Sequence, residues 1–160
     1  MSKAFTREAD DSGDEDMPVT WPVLPPGVRN YITPDGAQRL KEQLETLIET
    51  KAASNSDNPG SKKLDSAIRN LKQRLDSLVV IGAPADPSKI AVGAIVRARH
   101  LNGEEDTYQI VGIDESRPEE GKISWISPLA KALLSRRAGD KVRFRIPAGE
   151  DELEILSVRY

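Results

Sequence analysis

The stretch ASNSDNPGSKK, residues 53–63, separates two helical runs and decides the fold of the N-terminal half. Apolar residues recur on both sides of it in alternating steps of three and four. They are Ala37, Leu40, Leu44 and Leu47 upstream, and Leu64, Ile68, Leu71, Leu75 and Leu78 downstream. A narrow apolar seam on two segments joined by a Pro-Gly turn predicts an antiparallel helical hairpin, a short coiled coil, over residues 31–80.

The first arm carries a strong start signal. Thr33 suits the N-cap, Pro34 suits the first helical position, and Asp35 favours the positive end of the helix dipole. Arms of roughly 17–20 residues at 1.5 Å per residue give a hairpin about 25–30 Å long. Because most positions off the seam are charged or polar, we expect the hairpin to project into solvent or a partner. The alternative is an ordinary two-helix layer packed on a sheet.

The second half reads as a small sheet. A linker rich in proline and small residues covers 81–92, and beyond it the apolar period falls to about two. The strand candidates are 94–100, 107–113, 122–126, 141–146 and 153–159. A Ser127-Pro128 start predicts one short helix, and a slip of the apolar phase between Ile155 and Leu156 predicts a β-bulge. Residues 93–160 are therefore predicted to form an α+β module, an antiparallel sheet with one short helix.

Composition narrows the function classes. The 160 residues include no cysteine and one histidine, His100, which we interpret as structural, so no metal site and no cofactor are expected. No Ser/His/Asp, Cys/His or P-loop arrangement exists, so no catalytic residue is assigned. Without an apolar signal region or a membrane-length run, a cytoplasmic protein with no membrane association is expected.

Charge is concentrated at the N-terminus. Residues 1–30 hold six acids, all between Glu8 and Asp16, followed by a proline-rich run, and predict a disordered tail in which Trp21 and Val23 either stay solvated or dock. The remaining 130 residues hold 20 basic and 20 acidic side chains. This balance gives no field for wrapping DNA, so contact with nucleic acid is expected only indirectly.

Several motifs occur together in one order. They are YITPDGAQRLKEQL (31–44), YQIVGIDES (108–116) and GKISWISPLAKALLSRRAGDKVRFRIPAGEDELEILSVRY (121–160). The chain thereby resembles the Gre transcript-cleavage factors of bacterial RNA polymerase, GreA and GreB, over about residues 30–160. The resemblance implies a helical hairpin followed by a domain of FKBP-like shape. It also implies that this domain docks on RNA polymerase at the secondary channel. The hairpin would then present two carboxylates of a G-D-x-x-E-N tip to a catalytic magnesium ion.

The tip departs from that pattern. Asp57 is its one acid, and with Lys51, Lys62 and Lys63 it gives residues 51–63 a net charge of +2. A single carboxylate among lysines is a poor magnesium ligand, so Asp57 is interpreted as a turn or cap residue beside Asn58. The hairpin is also about twenty residues shorter than in the cleavage factors, which removes about 15 Å of reach.

The sequence therefore predicts a polymerase-binding elongation regulator that is not an enzyme and does not stimulate cleavage. Its short arms resemble those of the regulator of nucleoside diphosphate kinase. The alternative is a working Gre-type factor that stimulates RNA cleavage in backtracked complexes, with carboxylates supplied by the acidic tail. A third reading, a prolyl isomerase suggested by the FKBP-like shape, lacks a pocket constellation.

The predicted polymerase contacts lie around the short helix. Ser127 and Pro128 match the family motif, and the alternative is that they only start the helix. Trp125 and Ile126 are expected to form an apolar patch beside them. Lys131, with Arg136 and Arg137 on the same helix, either faces an acidic partner or is merely solvated. Asp114 and Glu115 are expected to shape a turn and not to bind metal.

Overall fold

The computed structural model describes residues 21–55 and 57–160. The N-terminal half is an antiparallel hairpin of α1 (Pro34–Ala53) and α2 (Gly60–Asp76). Two short strands flank it at its base, β1 (Asn30–Ile32) and β2 (Leu78–Val80), and pair in parallel. The acidic residues from Glu8 to Asp16 lie outside the described part of the chain.

The start of α1 follows the predicted cap. The Thr33 hydroxyl accepts a hydrogen bond from the Gly36 amide at 3.1 Å, and Pro34 opens the helix. The apolar seam is deepest near the base, where Ile32, Ala37, Leu40 and Leu71 form one buried cluster. Towards the turn it thins to half-buried leucines and the exposed Ile48. The hairpin therefore projects from its base, as the narrow seam predicts.

The C-terminal half is a five-stranded sheet with one helix. Its elements are β3 (Ile95–His100), β4 (Glu105–Val111), β5 (Lys122–Ser124), α3 (Pro128–Leu133), β6 (Lys141–Ile146) and β7 (Gly149–Arg159), with 3-10 turns at Ile113–Glu115 and Pro118–Glu120. The spatial order is β5-β4-β3-β7-β6. The chain is thus an α+β protein in which a helical hairpin precedes a sheet domain, as predicted.

The core of this domain lies between α3 and the sheet. Alternate residues of the strands point into it, among them Val96, Ile110, Leu153 and Ile155, and Leu133 of α3 closes it. The predicted bulge is present: Arg97 pairs with Ser157 but Ala98 pairs with Ile155, so Leu156 is the extra residue of β7. The bulge restores the inward phase of β7 on both sides.

Four sequence-based details differ from the structure. The sheet is not wholly antiparallel, because β4 and β5 pair in parallel. The connection between these two strands contains both 3-10 turns. Leu78 belongs to β2 and not to the helical seam, since α2 ends at Asp76. The predicted boundary at residue 30 cuts β1, where Asn30 is buried. Ile90, expected in the linker, is buried in the domain core.

The N-terminal approach to β1 is partly packed. Trp21 is half-buried against the hairpin cluster, and the Arg74 guanidinium lies 5.9 Å from the centre of its ring. Val23 is 91% exposed. Trp21 therefore docks on the hairpin, whereas Val23 stays exposed to solvent. Within the described residues, no helix has the length and apolarity needed to cross a membrane.

Candidate functional site

The predicted contact helix is built around Ser127. Its hydroxyl accepts a hydrogen bond from the Ala130 amide at 3.2 Å and caps α3, while Pro128 opens the helix and is exposed. Lys131 is exposed on the outer face, opposite the buried Ala130 and Leu133. The Ser-Pro pair therefore has a structural role that does not depend on a partner.

Trp125 and Ile126 do not form an open apolar patch. The Trp125 ring packs edge-on against Tyr31 with centroids 5.2 Å apart, and Trp125 also contacts the domain core. Ile126 is half-buried. Among the described residues the indole nitrogen of Trp125 is buried without a hydrogen-bond partner. Trp125 thus contacts both the sheet domain and β1, and it is only partly exposed to solvent.

Arg136 and Arg137 do not lie on the helix of Lys131. The helix ends at Leu133, and Ser135 adopts a positive φ of 67°. Backbone bonds from Ser135 to Ile90, and from Ile90 to Arg136, tie this segment to the linker end. Arg137 then binds Asp86 at 3.2 Å. The expectation of three cations on one helix is wrong because the chain pairs with the linker after the sixth helical residue.

The hairpin tip carries little negative charge. Asp57 and Asn58 are exposed, and Asn58, not Asp57, accepts the hydrogen bond from the Gly60 amide at the start of α2, at 3.1 Å. Lys62 and Lys63 are exposed, and Lys51 pairs with Asp65 across the two arms. Within the described residues no group of three or more acidic or histidine side chains is placed to hold a metal ion.

Asp114 and Glu115 form the joint between the hairpin and the domain. Asp114 accepts hydrogen bonds from Arg74 Nε at 2.7 Å and Asn30 Nδ2 at 3.1 Å, and its other oxygen pairs with Arg74 Nη2. The Asp114 side chain is 1% exposed and that of Arg74 is 12% exposed. A bidentate pair this well shielded fixes α2 relative to the domain.

Glu115 holds the other arm. Its Oε2 accepts from the Thr33 amide at 2.9 Å and the Gly112 amide at 3.0 Å, and its Oε1 accepts from the Thr33 hydroxyl. One carboxylate therefore binds the N-cap of α1 and the turn that leaves β4. The predicted turn is present as a 3-10 turn, but sequence reasoning missed that both acids reach the hairpin. The sequence did carry a sign of this role, because two consecutive acids follow a buried strand.

Glycine allows the joint to close. A Cβ on Gly112 would lie 3.0 Å from the Tyr31 carbonyl carbon and closer still to its oxygen. A Cβ on Gly36 would overlap the Glu115 carboxylate. Gly112 is needed because the Tyr31 backbone occupies the space of a side chain, whereas a side chain at Gly36 would displace the Glu115 carboxylate from its hydrogen bonds.

His100 lies at the end of β3 in a polar cluster. Its Nε2 is 2.9 Å from Asp106 and 3.2 Å from the Tyr108 hydroxyl, and its Nδ1 is 3.1 Å from Asp151. Burial lowers the pKa of His100, but hydrogen bonds to Asp106 and Asp151 outweigh it and raise the pKa overall. Burial and the Asp106 charge raise the pKa of Tyr108 to about 12.

The fold and the buried joint define a class of protein in which a helical hairpin is fixed by polar bonds to a small sheet domain. Residues 84–160 match the family model for the C-terminal domain described as transcription elongation factor, GreA/GreB. The chain is 38% identical over 154 residues to transcription elongation factor GreB of Neisseria meningitidis serogroup B, covering 82% of this chain and 94% of the relative. It is 35% identical over 153 residues to GreA of Shouchella clausii, covering 82% and 97%. The chain belongs to the GreA/GreB family of transcription elongation factors.

Two solved structures of similar proteins are also found. The GreA factor homolog 1 protein of Thermus thermophilus is 26% identical, with 83% of this chain and 100% of that chain covered and a TM-score of 0.42. The GreA/GreB factor of Nitrosomonas europaea is 26% identical, with 82% and 100% covered and a TM-score of 0.42.

Proposed function

We propose that this protein is an RNA polymerase-binding elongation regulator that docks at the secondary channel without stimulating transcript cleavage. The observation that carries the proposal is the hairpin tip. Asp57 is the one acid among its described residues, and it stands near Lys62 and Lys63. Two-metal hydrolysis requires oxygen ligands that hold a second cation, and hard cations such as Mg²⁺ need concentrated negative charge.

Arm length supports the same conclusion. The 20 residues of α1 span about 30 Å from base to tip. The match to GreB runs over 154 positions but covers 82% of 160 residues, about 131. About twenty residues of the relative therefore have no counterpart in this chain. We assign this difference to the hairpin, so that the shorter arm of a docked domain would stop short of the polymerase active site.

The docking contacts are proposed on the outer face of α3. Pro128 and Lys131 are exposed there, while Ser127 sets the helix start. Trp125 packs against Tyr31 and the domain core, and the half-buried Ile126 directly precedes Ser127, so both are proposed to contribute less to this contact than Pro128 and Lys131. The protein acts as a ligand of the polymerase in the cytoplasm, and any RNA hydrolysis belongs to the polymerase and not to this chain.

A second function is favoured by one specific feature, the acidic block of residues 8–16. Its six carboxylates are the ligands that the tip lacks. If they reached the polymerase magnesium, the protein would stimulate cleavage in backtracked complexes as a working Gre factor does. Ordering such a segment costs conformational entropy at every residue, which weighs against this function.

The test uses a purified backtracked elongation complex with the cognate polymerase and magnesium. We expect no release of short 3′ RNA fragments, and we expect loss of cleavage when this protein competes with a genuine Gre factor. Prompt fragment release would establish the second function instead. Absence of both effects would overturn docking itself.

Two variants sharpen the experiment. Replacing residues 50–64 by longer arms with a G-D-x-x-E-N tip should confer cleavage if docking is intact. Asp57→Asn serves as the matched control and should leave competition unchanged. Lys131→Glu should weaken competition, because it reverses the charge on the proposed docking face while leaving the core of α3 untouched.

A further inference from the structure

The two arms of the hairpin differ in charge. The first, α1, holds four acids and three bases, whereas α2 holds five bases and two acids. Two charges of α2 are already used, because Asp65 pairs with Lys51 and Arg74 pairs with Asp114. Four cations remain on its solvent-facing half, without an ion pair to any described residue: Lys62, Lys63, Arg69 and Lys72. These four residues are called the basic face of α2.

The N-terminal segment is anchored beside this helix. The carbonyl oxygen of Pro22 accepts a hydrogen bond from Arg74 Nη2 at 3.0 Å, and the Trp21 ring lies under the same guanidinium. Lys63 precedes Arg74 by eleven residues, or three helical turns, and so lies on the same side of α2. The chain that precedes Trp21 is therefore tethered at the edge of the basic face.

The acidic block is long enough to reach the basic face of α2, and the two carry opposite charge. Residues 8–16 precede Trp21 by 5 to 13 positions, so they extend to between about 17 and 45 Å from it. Arg74 and Lys62 are separated by about 18 Å along α2. The acidic block holds six carboxylates within nine residues and the basic face holds four cations, and the covalent tether at Trp21 gives the block an effective concentration in the millimolar range.

We propose that the acidic block Glu8–Asp16 docks on the basic face of α2 and covers it. The contact is electrostatic and intramolecular, and it keeps other polyanions such as single-stranded RNA from the hairpin. Each exposed pair contributes little, so the contact depends on the sum of several charges and is weakened by salt. No polymerase takes part in it.

The chain contains no cysteine, so Ser12→Cys gives a single site for a nitroxide spin label in the middle of the acidic block. Amide NMR signals of the basic face should broaden several-fold more than those of Glu42, Glu45 and Glu49 on α1, the matched control surface. The difference should vanish at 0.5 M NaCl. It should also vanish when the six acids are replaced by their amides, a change that keeps length and anchor.

Equal broadening on both arms, or broadening that survives in the neutralised variant, would overturn the proposal. A labelled single-stranded RNA provides a second readout. It should bind the neutralised variant several-fold more tightly than the unchanged chain at low salt. Equal binding to both would show that the basic face is open and would also overturn the proposal. Because neither readout involves polymerase, failure here leaves the docking proposal untouched.

Discussion

Asp114 shows how much one residue contributes to this molecule. It lies in the 3-10 turn after β4 and is buried, and its two oxygens accept three hydrogen bonds from α2 and β1. Removing one partner of a buried ion pair leaves an uncompensated charge, which costs far more than losing an exposed pair. The joint thus depends on this carboxylate.

Asp114→Asn should lower the free energy of unfolding by about 3 kcal/mol, because Arg74 keeps its charge in a shielded place without a counterion. Chemical denaturation measures the change. The matched control is Glu152→Gln, which breaks the pair with Arg143, a side chain that is 76% exposed. The control should cost less than about 1 kcal/mol. Equal costs for the two variants would show that the joint does not hold the hairpin.

His100 makes stability depend on pH. Its folded pKa is raised above the usual 6.5 because Asp106 and Asp151 stabilise the charged ring. The resulting stabilisation is fully present below about pH 6.5 and is lost as pH rises through the folded pKa. The neighbouring Tyr108 stays protonated throughout this range, since its pKa is about 12.

We therefore expect the free energy of unfolding to be larger at pH 6 than at pH 8, relative to a His100→Gln variant measured at both values. The double comparison removes the contribution of titrating groups that do not contact His100. A difference between the two proteins that stays constant from pH 6 to pH 8 would contradict the raised pKa of His100.

At the scale of elements, α3 illustrates a motif with two possible purposes. Ser127 caps a helix of only six residues, so one hydrogen bond to Ala130 is a large part of its start. A family motif at this position can persist for the fold alone. The two purposes are a cap for α3 and a contact with the polymerase. A substitution that keeps the cap but removes the hydroxyl distinguishes between them.

Ser127→Ala should cost about 1 kcal/mol of stability, whereas Ser127→Asp should cost little because aspartate also caps helices. Thermal unfolding checks this difference. In the polymerase competition assay, Ser127→Asp should compete as well as the unchanged chain if Ser127 only caps α3. Loss of competition in a fully stable Ser127→Asp variant would assign the hydroxyl a contact with the polymerase.

In the hairpin, burial is distributed unevenly along the length of the two helices. Its seam is buried at the base and thin at the tip, so most of its stability comes from the end that meets the domain. The tip can therefore carry a new sequence without disturbing the core, which is why the exchange of residues 50–64 is a fair test.

At the scale of the whole molecule, the arm and the body are held by contacts on both helices. Arg74 reaches Asp114 from α2, Thr33 reaches Glu115 from α1, and Tyr31 packs on Trp125. Three separate contacts at one end of a narrow hairpin restrict its direction relative to the sheet. The proposed insertion of the arm into the secondary channel would require such a fixed direction.

Gly112→Ala should loosen this joint, because the new methyl group overlaps the Tyr31 carbonyl. The expected cost is about 1–3 kcal/mol, with faster hydrogen exchange in β1 and at the base of α1. Gly82→Ala is the matched control, since a Cβ there meets no atom within 4 Å. Unchanged exchange in β1 of the Gly112→Ala variant would show that the turn after β4 does not support the arm.

The sequence by itself determined the local structure. Periods of 3.6 and 2 marked both helices of the hairpin and all five strands of the sheet domain. Caps at Thr33 and Ser127 marked helix starts, and the phase slip at Leu156 marked the bulge. These features depend on neighbours along the chain. The near absence of acids at the tip is likewise visible from sequence alone.

Only the tertiary structure decided how the halves meet. The parallel pairings β1–β2 and β4–β5 join strands separated by long connections, and no local pattern encodes their partners. Asp114 and Arg74 are 40 residues apart, and Thr33 and Glu115 are 82 apart. Charge and hydrogen-bonding capacity are properties of a residue, but burial and partner choice arise when distant elements pack, so two acids that read as a turn became the joint of the molecule.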